Sequence, residues 1–269
     1  MGTSSIYNGP KDKNPLLPEG FEDDYNTNEA DDNDLKEDVN KESEILGSWQ
    51  ETKRAMSQYI TGNSKSKGRV LSNYVKAMGG SRASANQAIS GRNATIQLGR
   101  ILSSISSKGI IQTLKDLKID YIGKDVQVLL SELVNIIAFD SSTKENIVAK
   151  NATIEAMSQM YEYIEENNMD INSLDSMNEE IFEELMGSFV SSYIFERMLN
   201  DLQSRFEKYA EGSQDALQKE SEFKEYIKVS VELKLNEIQF NQINYNSPNI
   251  NTIIEDLYRG CYEVLEAYL

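Results

Sequence analysis

Residues 247–269 read SPNINTIIEDLYRGCYEVLEAYL, and the fold class turns on how this closing stretch is understood. Ile250, Ile253, Ile254, Leu257, Tyr258, Cys261, Val264, Leu265 and Tyr268 recur at helical steps. Such a spacing gathers side chains into one stripe of an α-helix and would scatter them over both faces of a strand. Ser247 followed by Pro248 supplies a cap residue and then a proline at the first helical position, where its missing N–H costs nothing. The stretch predicts an amphipathic helix that starts at this pair.

Working outward, no proline intervenes between Pro18 and Pro248, and the same periodicity recurs through that interval. A helical pattern begins near Ser43 with Trp49, Met56, Tyr59 and Ile60, and Gly62 closes it. Val70, Leu71, Tyr74, Val75 and Met78 follow, ended by Gly79-Gly80. The small-residue stretch SRASANQAISGRNAT then leads into Ile96, Leu98, Ile101, Leu102 and Ile105. Further segments run near 109–118 and 125–139. Ser142 with Glu145 and Ser176 with Glu179 fit the S-x-x-E capping box and predict helix starts near 143 and 177. The second of these helices extends toward Ala210, with Phe182, Leu185, Phe189, Tyr193 and Leu202 turned inward. A helix near 214–240 carries Leu217, Phe223, Ile227, Val231, Leu235 and Ile238. No alternating segments flank an Asn-Gly or Asp-Gly turn, the signature of a hairpin. The expected fold is all-α, a helical bundle-like domain over residues 46–269.

Residues 1–45 read differently. Pro10, Pro15 and Pro18 impose extended conformations on their neighbours. The stretch EDDYNTNEADDNDLKEDVNKE that follows is too charged and too poor in apolar residues to offset its ordering entropy. This segment is expected to be a disordered leader and acidic linker. Charge divides the chain again. Residues 1–46 hold 13 acidic and 4 basic residues, and residues 47–108 hold ten Lys and Arg against Glu51 alone. Residues 109–269 return to 30 acidic and 13 basic, for a whole-chain charge of −17.

Composition narrows the chemistry. Histidine is absent and Cys261 is the only cysteine, so a structural zinc site cannot be built from the usual ligands. Ser-His-Asp and Cys-His nucleophilic centres are likewise excluded, and no internal disulfide can form. Acid–base work would fall to carboxylates, lysine or tyrosine, but 44 acidic residues produce chance pairs that single out no centre. The expectation is a non-enzymatic protein without cofactor or metal. No apolar run approaches the roughly 18 to 20 residues that span a bilayer. The leader lacks the apolar and basic regions of a secretory signal. A cytoplasmic protein with no membrane partner is expected.

Familiar motifs fail on inspection. TGNSKSKG at 61–68 lacks the Gly-Lys-Ser/Thr of a phosphate loop. DINSLDSMNEEI at 170–181 has Leu174 at the fifth position, no glycine at the sixth and Ile181 where a calcium loop needs its bidentate acid. Met1-Gly2 suggests N-myristoylation, yet position 6 is Ile rather than Ser or Thr. Pro15-Leu16-Leu17-Pro18 has PxxP spacing. Cys261, on the apolar stripe, reads as a buried inert thiol. The basic block is more informative: Lys65, Lys67, Arg69, Lys76, Arg82, Arg92 and Arg100 stand among small residues. They would grip phosphates or an acidic partner, or else pair with the protein's own acidic helices or tail.

The leader carries a resemblance. Met1-Gly2-Thr3-Ser4-Ser5, then Gly9-Pro10, then Asn14-Pro15-Leu16-Leu17-Pro18 resemble the start of the QatB family of bacterial anti-phage proteins. The similarity continues through Leu71-Ser72-Asn73-Tyr74-Val75, Gly79-Gly80, and Ala83 to Ser90-Gly91-Arg92, where the family has a Gly-Ser-Arg-like turn. The closing aromatic helix also looks similar, whereas the acidic linker near 21–45 is peculiar to this chain. The resemblance implies a component of the four-gene Qat defence system. Its companions there are an ATPase, a TatD-like nuclease and QatC, which is similar to the 7-cyano-7-deazaguanine synthase QueC. On that footing Gly2, exposed by removal of Met1, is the expected acceptor of a deazaguanine-type modification. Thr3, Ser4, Ser5, Gly9, Pro10, Pro15, Leu16, Leu17 and Pro18 are the expected contacts with QatC. A leader that only tethers QatC is one alternative. Another is a nucleic-acid-binding subunit that presents phage DNA or RNA to the nuclease through residues 65–100.

Overall fold

A computed structural model describes residues 37–138 and 142–267, with side chains from Ser48 onward. Among the described residues every regular element is helical, so the all-α expectation holds. The α-helices are α1 Glu37–Ile60, α2 Lys67–Ala77, α3 Ser81–Gln87, α4 Ile89–Lys108, α5 Ile110–Asp116, α6 Val126–Ile137, α7 Lys144–Glu166, α8 Glu179–Tyr209, α9 Ser213–Asn236 and α10 Ile250–Ala267. Short 3-10 turns lie at Ile171–Ser176 and Phe240–Gln242.

The long α8 is the axis, packed by α7, α9, α1 and α4. Phe182, Leu185, Phe189, Tyr193 and Leu202 are all buried along it, as the periodicity requires. Helix α10 closes the opposite side, lying against α2, α3, α4 and α9. Because four helices surround it, more than one stripe is covered. Tyr262 is buried beside Tyr258 and Cys261, while Val264 is half-buried and Ile253 faces solvent. Leu217 is also exposed, at the start of α9 rather than in its buried row.

Helix starts depart from the capping-box expectation in an instructive way. Thr143, not Ser142, caps α7 by accepting from the Asn146 amide at 3.1 Å. Asn178, not Ser176, caps α8 by accepting from Ile181 at 2.9 Å. Ser176 instead ends the 3-10 turn, which Asp170 caps. In both cases a competent cap residue nearer the first helical turn displaces the serine. Helix α10 begins at Ile250, two residues beyond Pro248, because the Ser247 hydroxyl bonds the Asn249 side chain and the Ser247 carbonyl accepts from Ile250. Helix α1 begins at Glu37, ahead of the start near Ser43.

The stretch SRASANQAISGRNAT forms α3 and the first turns of α4. Gly91-Arg92 therefore sits inside a helix, and no turn forms there. A Cβ on Gly91 would lie 2.5 Å from the Tyr193 ring, and one on Gly99 would lie 2.1 Å from that of Tyr245. These two glycines are what let α4 lie against aromatic rings of α8 and of the segment before α10.

Candidate functional site

The basic block separates into two groups. On α2, Val70, Leu71, Ser72, Tyr74 and Val75 are all buried, which leaves Arg69 and Lys76 pointing outward. Seven residues apart, they fall within about 20° of each other around the helix and about 10 Å apart along it. Lys65 precedes the Ser66 cap and Arg82 follows the Gly79-Gly80 turn; both are exposed. None of these four cations pairs with an acid among the described residues.

The remaining three are tied inward. The Lys67 ammonium lies 3.1 Å from Glu222 on α9 and over the Tyr59 ring. Arg92 pairs with Glu255 of α10. The Arg100 Nε donates to the Tyr245 carbonyl at 3.1 Å. Pairing with the protein's own acidic helices thus holds for Lys67 and Arg92, while Arg100 is held by a carbonyl.

Ser72 and Tyr74 of α2 have identifiable work. The Ser72 hydroxyl donates to the Glu266 carbonyl at 2.8 Å, and the Tyr74 hydroxyl donates to Asp201 at 2.8 Å. Gly79 and Gly80 both have positive φ, at 93° and 88°, a region that suits glycine. Their turn brings Ser81 N to the Glu266 carboxylate at 3.0 Å.

Near this turn lies a polar pocket of about 390 Å³, lined by Trp49, Gln87, Lys144, Glu145, Arg197 and Asp201 among others. Arg197 is 8% exposed and donates to the Ser84 carbonyl at 2.9 Å and to Gln87 at 3.0 Å. Glu145 accepts from Ser90 N at 2.8 Å and from the Tyr193 hydroxyl at 3.0 Å. Tyr258 shares a hydrogen bond with Thr95 at 3.0 Å. Burial raises the Tyr193 and Tyr258 hydroxyls well above the ordinary tyrosine range, so both are neutral. These hydrogen bonds join α3, α4, α7, α8 and α10. Arg197 was not legible as an interior group, since an arginine within a long helix carries no mark in the sequence, and Glu145, expected in the capping box of α7, instead reaches Ser90 N and Tyr193. The burial of Cys261 pushes its thiol up to about 12, which keeps it protonated and unreactive.

Among the described residues no group of three or more His, Cys, Asp or Glu side chains is arranged to hold a metal ion. No helix among them is long and apolar enough to cross a membrane. Gly2, Thr3, Ser4, Ser5, Gly9, Pro10, Pro15, Leu16, Leu17 and Pro18 lie outside the described residues.

These features define a helical protein whose buried polar groups hold its own helices together and whose cations Lys65, Arg69, Lys76 and Arg82 are exposed around α2 and α3. A family model described as "QatB: Qat anti-phage system associated protein QatB" matches residues 79–265, and the chain belongs to that family. It is accordingly a component of the Qat anti-phage defence system. The match opens at Gly79, the first residue of the double-glycine turn, and runs to Leu265 in α10. No curated protein and no solved structure matches the chain.

Proposed function

We propose that this protein is a non-enzymatic component of a Qat complex, whose helical body docks a QueC-like QatC and whose leader presents Gly2 to it. The Qat ATPase and TatD-like nuclease would be further partners. Family membership across residues 79–265 carries this reading.

The chemistry is a simple acyl transfer. With Met1 removed, Gly2 offers an α-amine with a pKa of roughly 7.7–8.0, far below lysine, so a substantial fraction is neutral and nucleophilic. Glycine has no side chain to obstruct a narrow site. A QueC-like partner activates a deazaguanine carboxylate with ATP and ordinarily delivers it to ammonia. Here the Gly2 nitrogen attacks the activated acyl carbon, and a C–N bond forms. The bond from that carbon to the ATP-derived leaving group breaks, and the amine proton passes to solvent. The product is an amide at the chain start.

The test is intact-mass measurement of the protein co-expressed with its QatC partner. A deazaguanine-sized increase on the N-terminal peptide is expected, absent from Gly2→Pro. The same increase in Gly2→Pro would exclude the terminal amine. No increase with QatC still bound would leave a leader that only tethers.

One observation favours a second reading, nucleic-acid presentation by the basic region: four cations of the α2–α3 face are exposed and unpaired among the described residues. Arg92 and Arg100 are occupied by Glu255 and Tyr245. A binding test therefore belongs at Lys65, Arg69, Lys76 and Arg82, whose neutralisation should flatten the salt dependence of any DNA or RNA affinity.

A further inference from the structure

The exposed cations of α2 and α3 pose a physical problem. The chain carries a net charge of −17, yet its own folded acids leave this face uncovered. Carboxylates of α9 and α10 that reach the basic block are already engaged. Glu222 holds Lys67 and the Tyr59 hydroxyl, Glu255 holds Arg92, and Glu266 holds Ser81 N. Between residues 47 and 108 the single acid is Glu51, on α1. What remains is the segment immediately ahead of α1. Residues 22–34 contain Glu22, Asp23, Asp24, Glu29, Asp31, Asp32 and Asp34 and no basic residue.

We infer that residues 22–34 are the resting occupant of the cationic face formed by Lys65, Arg69, Lys76 and Arg82. The connection is short enough. Trp49 of α1 meets Tyr74 of α2 edge to face, with ring centroids 5.9 Å apart, and α1 and α2 pack side by side. From that level Glu37 lies about 18 Å farther along α1. An extended chain advances at most about 3.3–3.6 Å per residue, so about five or six residues lead back from Glu37 to the level of Tyr74, which lies between Arg69 and Lys76 on α2. Residues 22–34 begin well within that reach.

Tethering then favours this occupant over any free one. A covalently attached segment meets the face at an effective concentration of about millimolar for a short flexible connection, with the charge sign that the face demands. Exposed pairs of this kind are individually weak, about 0–1 kcal/mol, so the cover is multivalent and reversible. It acts as a competitor for polyanions: DNA or RNA reaches Arg69 and Lys76 only by displacing it. The cover needs no partner protein, and it stands or falls separately from any modification of Gly2.

The experiment uses the full chain in two readouts. Carbodiimide cross-linking at low salt, followed by peptide mass spectrometry, should join Lys65 or Lys76 to an acid within residues 22–34, and high salt should abolish the link. Anisotropy with a fluorescein-labelled single-stranded DNA should show weak binding by the native chain. It should show at least about tenfold tighter binding when Glu22→Gln, Asp23→Asn, Asp24→Asn, Glu29→Gln, Asp31→Asn, Asp32→Asn and Asp34→Asn are combined. Adding Arg69→Gln and Lys76→Gln should remove the gain.

Absence of the cross-link together with unchanged DNA affinity would overturn the inference. So would tight DNA binding by the native chain, which would make the face an open nucleic-acid surface. A gain that survives Arg69→Gln and Lys76→Gln would place the DNA elsewhere. Cross-links found only between isotopically distinct chains in a mixed sample would make the occupant a second copy. Unchanged thermal melting of the seven-site variant keeps folding out of the comparison.

Discussion

The carboxylates of α7–α10 and the cations of α2–α3 are deployed in opposite ways. By sequence the C-terminal region looks like a solvated acidic surface, and the basic block looks like a neutralising counterpart. In the structure, individual carboxylates in the larger region reach across to cap distant backbone amides. Glu145 takes Ser90 N, Glu266 takes Ser81 N, and Glu183 takes both Phe240 N and Asn241 N. Asp175 takes Ile110 N at 2.6 Å, where Gly109 with φ 80° makes room for it. These acids bind the fold together, whereas four of the seven cations of the basic block are left without an acidic partner among the described residues. Charge in the sequence therefore says little about which side chains are structural. The backbone amides that lack partners decide that.

The contrast is broken most severely where the two regions touch. Gly91→Ala and Gly99→Ala should each favour α4 by about 1 kcal/mol on helix propensity alone. Each nevertheless drives a methyl into a buried tyrosine ring, an overpacking cost of about 3 kcal/mol. Urea unfolding should show a net loss of about 2 kcal/mol or more for both. Gly187→Ala on α8, where the nearest atom to a new Cβ is 3.8 Å away, should be neutral or stabilising. Equal effects at all three positions would mean that close approach is not what these glycines provide.

The next effect isolates a capping carboxylate from an idle one. Glu145→Ala strips the partner from Ser90 N and from the buried Tyr193 hydroxyl, and should cost about 2 kcal/mol. Glu184→Ala removes an exposed acid and should change stability by less than about 0.5 kcal/mol. Comparable losses at Glu145 and Glu184 would undo the distinction between binding acids and surface acids.

How much of this could be read from the chain follows from the same physics. Helix order and the buried rows of α8 and α9 were legible, because apolar periodicity is a local property of the sequence. The starts of α7 and α8 were legible to within a residue or two, since Thr143 and Asn178 compete with Ser142 and Ser176 as caps and only geometry selects between them, whereas α1 starts six residues ahead of its expected position. The long-range roles of Glu145, Asp175, Glu183 and Arg197 were not legible at all. Their partners lie 48 or more residues away, and the one local signal among them, the capping-box position of Glu145, pointed to its own helix. Within the basic block the division followed the same rule. Arg69 and Lys76 could be placed outside by the phase of α2, but the pairing of Lys67, Arg92 and Arg100 depends on α9, α10 and the segment between them.

A smaller effect separates a paired cation from a free one. Lys67→Gln removes the ion pair with Glu222 and the contact with the Tyr59 ring, worth about 0.5–1 kcal/mol for an exposed pair. The Tyr59 hydroxyl and then Lys67 hold the Glu222 carboxyl below the usual carboxylate range. Its contribution is thus present above the unfolded carboxylate pKa and is lost as pH falls through the depressed folded value. Lys67→Gln should narrow that loss, so the variant and the native chain should converge in stability on acidification. A stability gap that stays constant down to full protonation of carboxylates would assign the effect to packing alone.

The smallest stability effect belongs to the face left over. Arg69→Gln with Lys76→Gln removes two exposed charges that have no acidic partner among the described residues. Glutamine keeps nearly the same helix propensity as lysine and arginine, and the buried face of α2 is untouched. The double variant should unfold within about 0.5 kcal/mol of the native chain. If the acidic segment covers this face, even that small change should shrink further in high salt, where screening removes the tether's contacts in the native chain as well. A loss of about 2 kcal/mol instead would mean that Arg69 and Lys76 are structural after all, and the division between spent carboxylates and unspent cations would have no basis in this fold.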